Sequence, residues 1–497
     1  MARARALRQS KVLDAPDQGL HLIPAGEEEP RERAGLERAL GPSAAAAIVL
    51  GTMVGTGIFL KPGEVAQDAG SFAVMAAAWL AAGILSLFGG LCYAELGAAI
   101  PEAGGEYAYL RRGFGPRTGF LFGWTHSTVA RPASVAAIAA GFLRFVEFFL
   151  PSLAKPLFLV RLPWGAGPLA VSQGQLWALA ALVMITGVNY LGVRVGGRVQ
   201  VLLTAIKVGA LLAVLGSVFL LLRHPHLRTN VQPLWPGAAN WTTLEGFLTA
   251  MAAAAWAYDG WNDLNLVGSE VENPQANFPR VIIRGVLFVI AVFLLFNFAC
   301  FWAMPYSRVA ASREITSQIF EIVAGHRAAL WITGIMAVAV LATLNSSILS
   351  GARVDYAMAR DGVFFRCAAA VHPRFRTPGN ALLLQCAIAG VLVLSGSFED
   401  LTSLVMFANW GFYATAVLAM MRIRRLEPGL ARPYRAWGYP VTPILFVIGA
   451  FSLSISLWIA RPVRSTIGAA VILSGLFFYQ LWTREASADP ALPSSLR

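Results

Sequence analysis

The hydrophobic residues of this chain are gathered into long runs that short polar segments separate. A helix that crosses a bilayer needs about 20 mostly apolar residues, and twelve runs reach or approach that length. The predicted helices, which we call spans 1 to 12 in chain order, are 44–67, 72–99, 117–149, 174–192, 199–222, 244–269, 281–304, 328–352, 380–397, 400–421, 441–460 and 465–483. The pattern predicts an all-α integral membrane protein with twelve transmembrane helices.

Composition agrees with this pattern, because 57% of the residues are hydrophobic and only 13% are charged. A soluble globular domain usually carries about 25% charged residues. The net charge of +12 comes mostly from basic residues between spans, so membrane topology accounts for it and no nucleic-acid partner is expected. Residues 1–43 form a polar tail in which seven Lys/Arg are balanced by seven Asp/Glu, unlike a basic nucleic-acid-binding arm.

The basic residues also predict orientation, since loops rich in Lys and Arg stay in the cytoplasm. An even number of spans puts both ends of the chain on one side. That side carries 26 of the Lys/Arg residues, against 10 on the opposite side and three inside spans. We expect a multi-pass protein of the plasma or inner cell membrane, with the N-terminal tail 1–43 and the C-terminal tail 484–497 in the cytoplasm.

Glycines interrupt the centre of span 1. Gly51, Gly55 and Gly57 lie there beside Thr52 and Thr56, and each glycine costs about 1 kcal/mol relative to alanine in a helix interior. Gly51 and Gly55 are four residues apart, so close helix packing alone could explain that pair. Gly55 and Gly57 share no helix face. We predict that the helix unwinds there in mid-membrane, which frees backbone groups that lipid cannot satisfy.

Span 6 carries a second interruption in the segment Trp256-Ala-Tyr-Asp-Gly-Trp-Asn262, which is aromatic, acidic and glycine-bearing. Asp259-Gly260 favours a turn. A carboxylate at the centre of a bilayer costs roughly 2.5–3.5 kcal/mol and usually marks a functional site. We therefore predict that span 6 is also unwound in mid-membrane.

Two interrupted spans five apart fit an inverted repeat, with 44–222 and 244–421 as its halves and 441–483 outside it. In such an architecture the N-terminus of a half-helix holds an anionic group, and the free carbonyls hold a cation. A zwitterionic α-amino acid carries both groups within a few ångströms. The pattern predicts a secondary transporter of L-amino acids that works by alternating access across the lipid bilayer.

Several short motifs give the chain a resemblance to a known family. They are Gly55-Thr-Gly-Ile-Phe59, Tyr93-Ala-Glu-Leu96, Pro101 to Tyr107, Trp256 to Asn262, Ser269-Glu-Val-Glu-Asn-Pro274, Asn345-Ser-Ser347 and His372-Pro-Arg-Phe-Arg-Thr-Pro378. In this order, over about residues 44–440, they resemble the amino acid–polyamine–organocation superfamily and its L-type amino acid transporter branch. The resemblance implies a leucine-transporter-like 5+5 fold with two added helices, and sodium-independent amino acid exchange.

The resemblance also implies roles for residues of both interruptions. Gly55, Thr56 and Gly57 would hold the substrate carboxylate, and backbone carbonyls near Ala257 would hold its amine. Trp256 stands where the family has an aromatic gate. The full set of predicted substrate-binding residues is Met53, Gly55, Thr56, Gly57, Ile58, Arg131, Trp256, Ala257, Tyr258, Asp259, Gly260 and Asn262.

Three charged residues inside spans have two interpretations each. Lys207 either extends towards the membrane surface or, as the resemblance implies, replaces a bound sodium ion by joining carbonyls near Gly51 to the hydroxyls of Ser346 or Ser347. Arg131 either forms an ion pair, for which Asp259 is the candidate partner, or contacts the substrate side chain. Glu95 either acts at a gate or joins two helices.

Partners and rival functions are limited by what the sequence lacks. The family branch from mammals uses a cysteine after span 3 to join a partner glycoprotein, and loop 151–173 has no cysteine, so we expect no disulfide-linked heavy chain; a homo-oligomer stays open. The spacing of the four cysteines fits no metal site, no cofactor is expected, and no clustered catalytic residues or phosphate-binding loop indicate an enzyme. The alternative function is a proton-coupled amino acid permease, or one for polyamines or cationic amino acids.

Overall fold

The computed structural model describes residues 35–160, 169–222, 226–231, 241–312, 315–395, 398–460 and 462–488. Most of the predicted tail 1–43 and the end of the predicted tail 484–497 lie outside these residues. Eighteen α-helices lie within them. They are α1 Pro42–Met53, α2 Thr56–Ala69, α3 Phe72–Ala99, α4 Glu106–Phe114, α5 Pro116–Thr125, α6 Arg131–Phe149, α7 Gln173–Tyr190, α8 Val193–Leu221, α9 Leu227–Asn230, α10 Trp241–Tyr258, α11 Asp263–Leu266, α12 Pro274–Ala303, α13 Tyr306–Ala311, α14 Ile315–Arg360, α15 Gly379–Ser395, α16 Phe398–Leu426, α17 Val441–Ala460 and α18 Pro462–Ala488.

Shorter elements join some of these helices. A π-helix, His126–Ala130, connects α5 to α6, and 3-10 turns occupy Pro151–Ala154, Gly268–Glu270 and Arg366–Ala369. The predicted loop 151–173 also contains two antiparallel strands, β1 Pro156–Val160 and β2 Leu169–Ser172, paired from Pro156 opposite Ser172 to Val160 opposite Leu169. The fold is otherwise helical, as predicted.

Eight helical stretches among the described residues are long and apolar enough to cross a membrane. They coincide with spans 1, 2, 3, 5, 7, 8, 11 and 12, and the other four predicted spans also lie on helices, namely α7, α10, α15 and α16. The range of α14 contains two helices that meet at Gly325, whose non-helical φ of 79° only glycine adopts easily. The second of them begins close to the predicted start of span 8 and runs beyond its predicted end at 352, to Arg360. The chain is a multi-pass helical membrane protein.

The helices at the two interruptions lie at the centre of the packing. Helix α10 packs on α2 and α3, and α1 packs on α8, α12 and α14. Aromatic rings fill the space between α3, α10 and α12, where Tyr258 contacts Trp79 and Phe293 with ring centroids 5.8 and 5.0 Å apart. This packing holds the broken helices against rigid neighbours.

The segments that the charge pattern assigns to one side of the membrane contact one another. Leu40 forms a β-bridge with Val271, and Ala103 forms one with Val267. Below them Arg353 of α14 is buried and donates to both carboxylate oxygens of Glu270, at 2.7 and 2.9 Å. A buried ion pair with two parallel hydrogen bonds fixes geometry strongly, so these segments form a connected layer.

Glu95 belongs to a second contact near this layer. One oxygen accepts a hydrogen bond from Arg424 Nε at 2.7 Å, and the other accepts from the backbone N–H of Ala436 at 2.7 Å. Glu95 therefore joins α3 to the end of α16 and the segment that follows. This geometry favours helix pairing over the alternative of a gate at the substrate.

Candidate functional site

The first interruption separates α1 from α2. Helix α1 ends at Met53, Val54 and Gly55 leave the helical conformation, and α2 begins at Thr56. Gly55 is extended (φ −103°, ψ −151°) and no side chain caps the new helix. The first backbone N–H groups of a helix have no partner within it, so the start of α2 presents donors beside Thr56 and Gly57.

The second interruption separates α10 from α11. Helix α10 ends at Tyr258, and Gly260 has φ +108°, a conformation that residues with a Cβ rarely adopt. Asp263 then donates from its backbone N–H to Gly260 O at 3.2 Å as α11 begins. The carbonyls in the last turn of a helix lack helical partners, so the end of α10 presents acceptors.

The two interruptions face each other at close range. A Cβ placed on Gly57 would lie 2.4 Å from Ala257 Cα, and one on Gly260 would lie 2.6 Å from Thr52 Cβ. The donors at the start of α2 are thus brought next to the acceptors at the end of α10. The sequence predicted the two breaks, and the fold places them together.

Replacing Gly57 with alanine is expected to reduce transport by at least about tenfold, because the methyl group would push α2 away from α10. A misplacement of about 1 Å at a binding site can cost about 100-fold. Uptake of a radiolabelled substrate into proteoliposomes would measure the loss. Gly209→Ala is the matched control, since a Cβ there meets nothing within 4 Å; equal activity of both variants would contradict the prediction.

A cavity lies where the two interruptions meet α4, α6, α14 and α16. Of the predicted substrate-binding residues, all but Ile58 and Tyr258 line it, and Ser347 does so as well. Ile58 and Tyr258 are buried in the packing instead. The remaining lining residues are Thr52, Glu106, Phe122, His126, Ala130, Ser134, Ile138, Asp263, Thr343, Asn409 and Tyr413.

Arg131 pairs with Asp263 and not with Asp259. The guanidinium donates to both oxygens of Asp263, at 3.1 and 2.6 Å, and Ser350 donates to the same carboxylate at 3.0 Å. The prediction of an ion pair thus agrees with the geometry, but the partner suggested was wrong. Asp263 follows Asp259 by four residues, on the other side of the break. The sequence does not specify the path of the chain through this break.

Asp259 and His126 are two polar residues of the cavity lining that take no part in the Arg131–Asp263 ion pair. Asp259 accepts a hydrogen bond from Tyr413 at 2.9 Å. The His126 ring bonds to the backbone of Gly351, and its Nε2 has no hydrogen-bond partner in the described structure. His126 begins the π-helix, and Pro132 explains this distortion because it has no N–H to donate and crowds the preceding turn.

Lys207 is fully buried on α8 beside the end of α1. Its Nζ donates to Gly51 O at 2.7 Å and to Thr343 Oγ1 at 2.9 Å, and Thr343 also donates to Gly51 O at 3.0 Å. The predicted link from Lys207 to the Gly51 carbonyl is present. The hydroxyl, however, belongs to Thr343.

Ser346 and Ser347 do not lie at the predicted contact with Lys207. Ser346 donates to Ile48 O at 3.1 Å, which ties α14 to α1. Ser347 lines the cavity. Neither of them hydrogen-bonds to Lys207 in the described structure, because Thr343 occupies the same face of α14 one turn earlier.

Glu106, His126, Asp263, Asn409 and Tyr413 are among the polar cavity residues that sequence reasoning missed. Asn409 and Tyr413 are four residues apart on span 10, a spacing that places them on one helix face. Glu106 lies in the Pro101–Tyr107 motif, and His126 was a single polar residue in an apolar span. Asp263 follows Asp259 by four residues, and only the geometry of the break shows that it belongs to the cavity.

Known proteins resemble this chain over nearly its whole length. The b(0,+)-type amino acid transporter 1 of Mus musculus is 31% identical over 452 residues, 90% of this chain and 88% of that protein. The serine/threonine exchanger SteT of Bacillus subtilis is 31% identical over 464 residues, 91% and 99% of the two chains. The large neutral amino acids transporter small subunit 2 of Rattus norvegicus is 31% identical over 494 residues, 97% and 87%.

These three relatives are named for transport or exchange and not for catalysis. A model of the family described as amino acid permease matches residues 40–481, which include every described helix from α1 to α17. This match covers both interruptions and the cavity between them. The chain therefore belongs to the amino acid permease family.

Proposed function

We propose that this protein is a secondary transporter that exchanges amino acids across the membrane, independently of sodium, by alternating access. The observation that carries the proposal is the pair of helix breaks that face one another in a single buried cavity. The names of the relatives, which include amino acid transporters and an exchanger, support the same function.

The backbone of the two breaks would bind the part that all α-amino acids share. The free N–H groups at Thr56 and Gly57 would bind the carboxylate, aided by the positive end of the α2 dipole. The carbonyls near Ala257 would bind the ammonium group. Trp256, which is 8% exposed and lines the cavity, would cover the bound substrate.

The side chains around the cavity favour a substrate whose own side chain can donate hydrogen bonds. Among the described residues, His126 Nε2 has no hydrogen-bond partner. The Asp259 carboxylate forms no salt bridge there, because Arg131 is paired with Asp263. Hydroxyl and cationic side chains supply such donors. A branched aliphatic side chain would leave His126 Nε2 without a partner, and an unpaired buried polar group costs about 1–3 kcal/mol.

The architecture that we infer has twelve membrane crossings. Spans 1–5 and 6–10 would form the two inverted halves, with both chain ends in the cytoplasm of a plasma or inner membrane. Because loop 151–173 has no cysteine, we also propose that the protein works without a disulfide-linked second subunit.

An exchange assay tests the function directly. Proteoliposomes preloaded with unlabelled amino acids should take up labelled threonine, empty ones should take up little, and threonine should compete better than its isostere valine. The twenty standard amino acids should also be screened by thermal shift, because a ligand that binds only the folded state raises the melting temperature of the protein. Stabilisation by a polyamine but by no amino acid would contradict the proposal.

The alternative is a proton-coupled permease, or one for polyamines or cationic amino acids. The Asp259 carboxylate in the cavity is the observation that favours a cationic substrate. Preloading separates the mechanisms, since an exchanger needs substrate on both sides whereas a proton-coupled permease needs only a pH gradient.

A further inference from the structure

Glu106 is a buried carboxyl at the edge of the substrate cavity that no part of the proposed mechanism uses. It is the first residue of α4, which joins spans 2 and 3 and lies outside both, and its exposed fraction is 0%. One oxygen accepts a hydrogen bond from Asn262 Nδ2 at 2.5 Å. The other oxygen, Oε2, has no hydrogen-bond partner in the described structure.

No cation neutralises this carboxyl. Glu106 takes part in no salt bridge among the described residues, and the nearest guanidinium, on Arg131, is already paired with Asp263. The charged and titratable groups that face Glu106 from the surrounding helices are Asp263, Arg131, Tyr93, Tyr109 and Tyr413. An isolated buried carboxylate is costly, and such a group normally takes up a proton instead.

The residues next to Glu106 contact the segment that follows the second interruption. The backbone N–H of Gly104 donates to Leu266 O at 2.9 Å, and Tyr109 donates to Asn265 Oδ1 at 2.8 Å. A Cβ on Gly105 would lie 2.9 Å from the Asn265 carbonyl carbon. A separation of α4 from α11 would break these contacts and bring water to Glu106.

We propose that Glu106 is a proton-binding site which must be occupied before the cavity closes on the side of α4, so that amino acid exchange is linked to proton binding at this carboxyl. The proposal rests on the exchange function above. Asn262 connects the two events, because it bonds to Glu106 and also lines the substrate cavity.

The direction in which pH affects closure follows from the two environments of Glu106, which is buried in the closed arrangement and hydrated in the open one. Burial raises the pKa of Glu106 from an ordinary 4.5 to about 8, against a smaller lowering by the hydrogen bond from Asn262. Closure therefore takes up a proton between these pH values, and opening with hydration releases it. The closed arrangement is fully stabilised at low pH and is lost as the pH rises through about 8.

Exchange by the wild-type protein should fall about tenfold as the pH on both sides rises from 7 to 9, since the protonated fraction of a group with a pKa of about 8 falls by that factor. Glu106→Gln keeps an uncharged side chain at every pH, so its exchange should change much less. The readout is the ratio of variant to wild-type exchange, because titration of the substrate affects both alike. Glu102→Gln, in the same segment but exposed, is the control and should follow the wild type.

If the ratio of Glu106→Gln exchange to wild-type exchange does not change between pH 7 and 9, the proposal is overturned while the exchange function remains intact. Absence of amino acid exchange at every pH would instead count against the function itself. If Glu106→Gln does not fold, pH-difference infrared spectra of the wild type and Glu106→Asp decide. A carboxylic acid band that bleaches near pH 8 and moves in Glu106→Asp supports the site, and a spectrum without that change overturns it.

Discussion

Replacing Lys207 with methionine is expected to lower exchange by about tenfold to hundredfold. The fully buried ammonium group bonds to the Gly51 carbonyl and to Thr343, in the last turn of α1 before it breaks. A hydrogen bond to a charged group contributes about 1.5–3 kcal/mol, and every 1.4 kcal/mol is a factor of ten in an equilibrium. Methionine fills the space without the donors, so the carbonyl loses its strongest partner and the break loses its position.

The measurement is exchange in proteoliposomes, with size-exclusion chromatography to show that the variant is folded. Lys155→Ala is the control, since Lys155 is exposed in the segment before β1. Wild-type exchange should be the same in sodium and in choline salts, because the fixed ammonium supplies the positive charge at this position. Full activity of Lys207→Met would show that the ammonium group is not needed to position the break, and a steep sodium requirement would refute sodium independence.

The sequence predicted those parts of the site that depend on backbone conformation. Gly55 and Gly260 indicate where the helices break, because glycine is costly in a helix interior. Gly260 also adopts a positive φ that other residues rarely adopt. The Gly51 carbonyl was likewise the expected partner of Lys207. These features follow from local residue chemistry, which is visible in one sequence.

Side-chain partners across helices were predicted less well. The choice among Thr343, Ser346 and Ser347 depends on the rotation of α14 about its axis, and a hydroxyl at each position is equally plausible from sequence alone. The choice between Asp259 and Asp263 depends on the path of the chain through Gly260. Such pairings are set by packing between distant segments, for which a single sequence gives no direct signal.

Glu106 illustrates a different limit. The motif from Pro101 to Tyr107 was recognised as part of the family resemblance, but its Glu106 carboxyl was not expected in the cavity because it lies outside every predicted span. The backbone contacts of Gly104 and Gly105 with α11 carry it there. A polar loop can therefore supply a buried group to a membrane-embedded site.

Loss of the guanidinium in Arg131→Leu is expected to destabilise the protein by about 3–5 kcal/mol, the usual cost of leaving one member of a buried ion pair alone. The residue left alone would be Asp263, because Arg131 is its ion-pair partner. Among the described hydrogen bonds, its carboxylate would then accept only the one from Ser350. Adding Asp263→Leu removes the stranded carboxylate. The double variant should therefore recover most of the stability, as replacements of buried ion pairs by apolar residues often do.

Asp259 provides the matched control for this double-mutant cycle. Because Asp259 bonds to Tyr413 and not to Arg131, Arg131→Leu combined with Asp259→Leu should recover nothing. Thermal unfolding of the wild type, the three single variants and the two double variants in one detergent measures the coupling, with coupled pairs differing from additivity by about 0.5–3 kcal/mol. If Arg131→Leu unfolds like the wild type and changes only which amino acids compete for exchange, Arg131 contacts the substrate and the pair with Asp263 is not its main role.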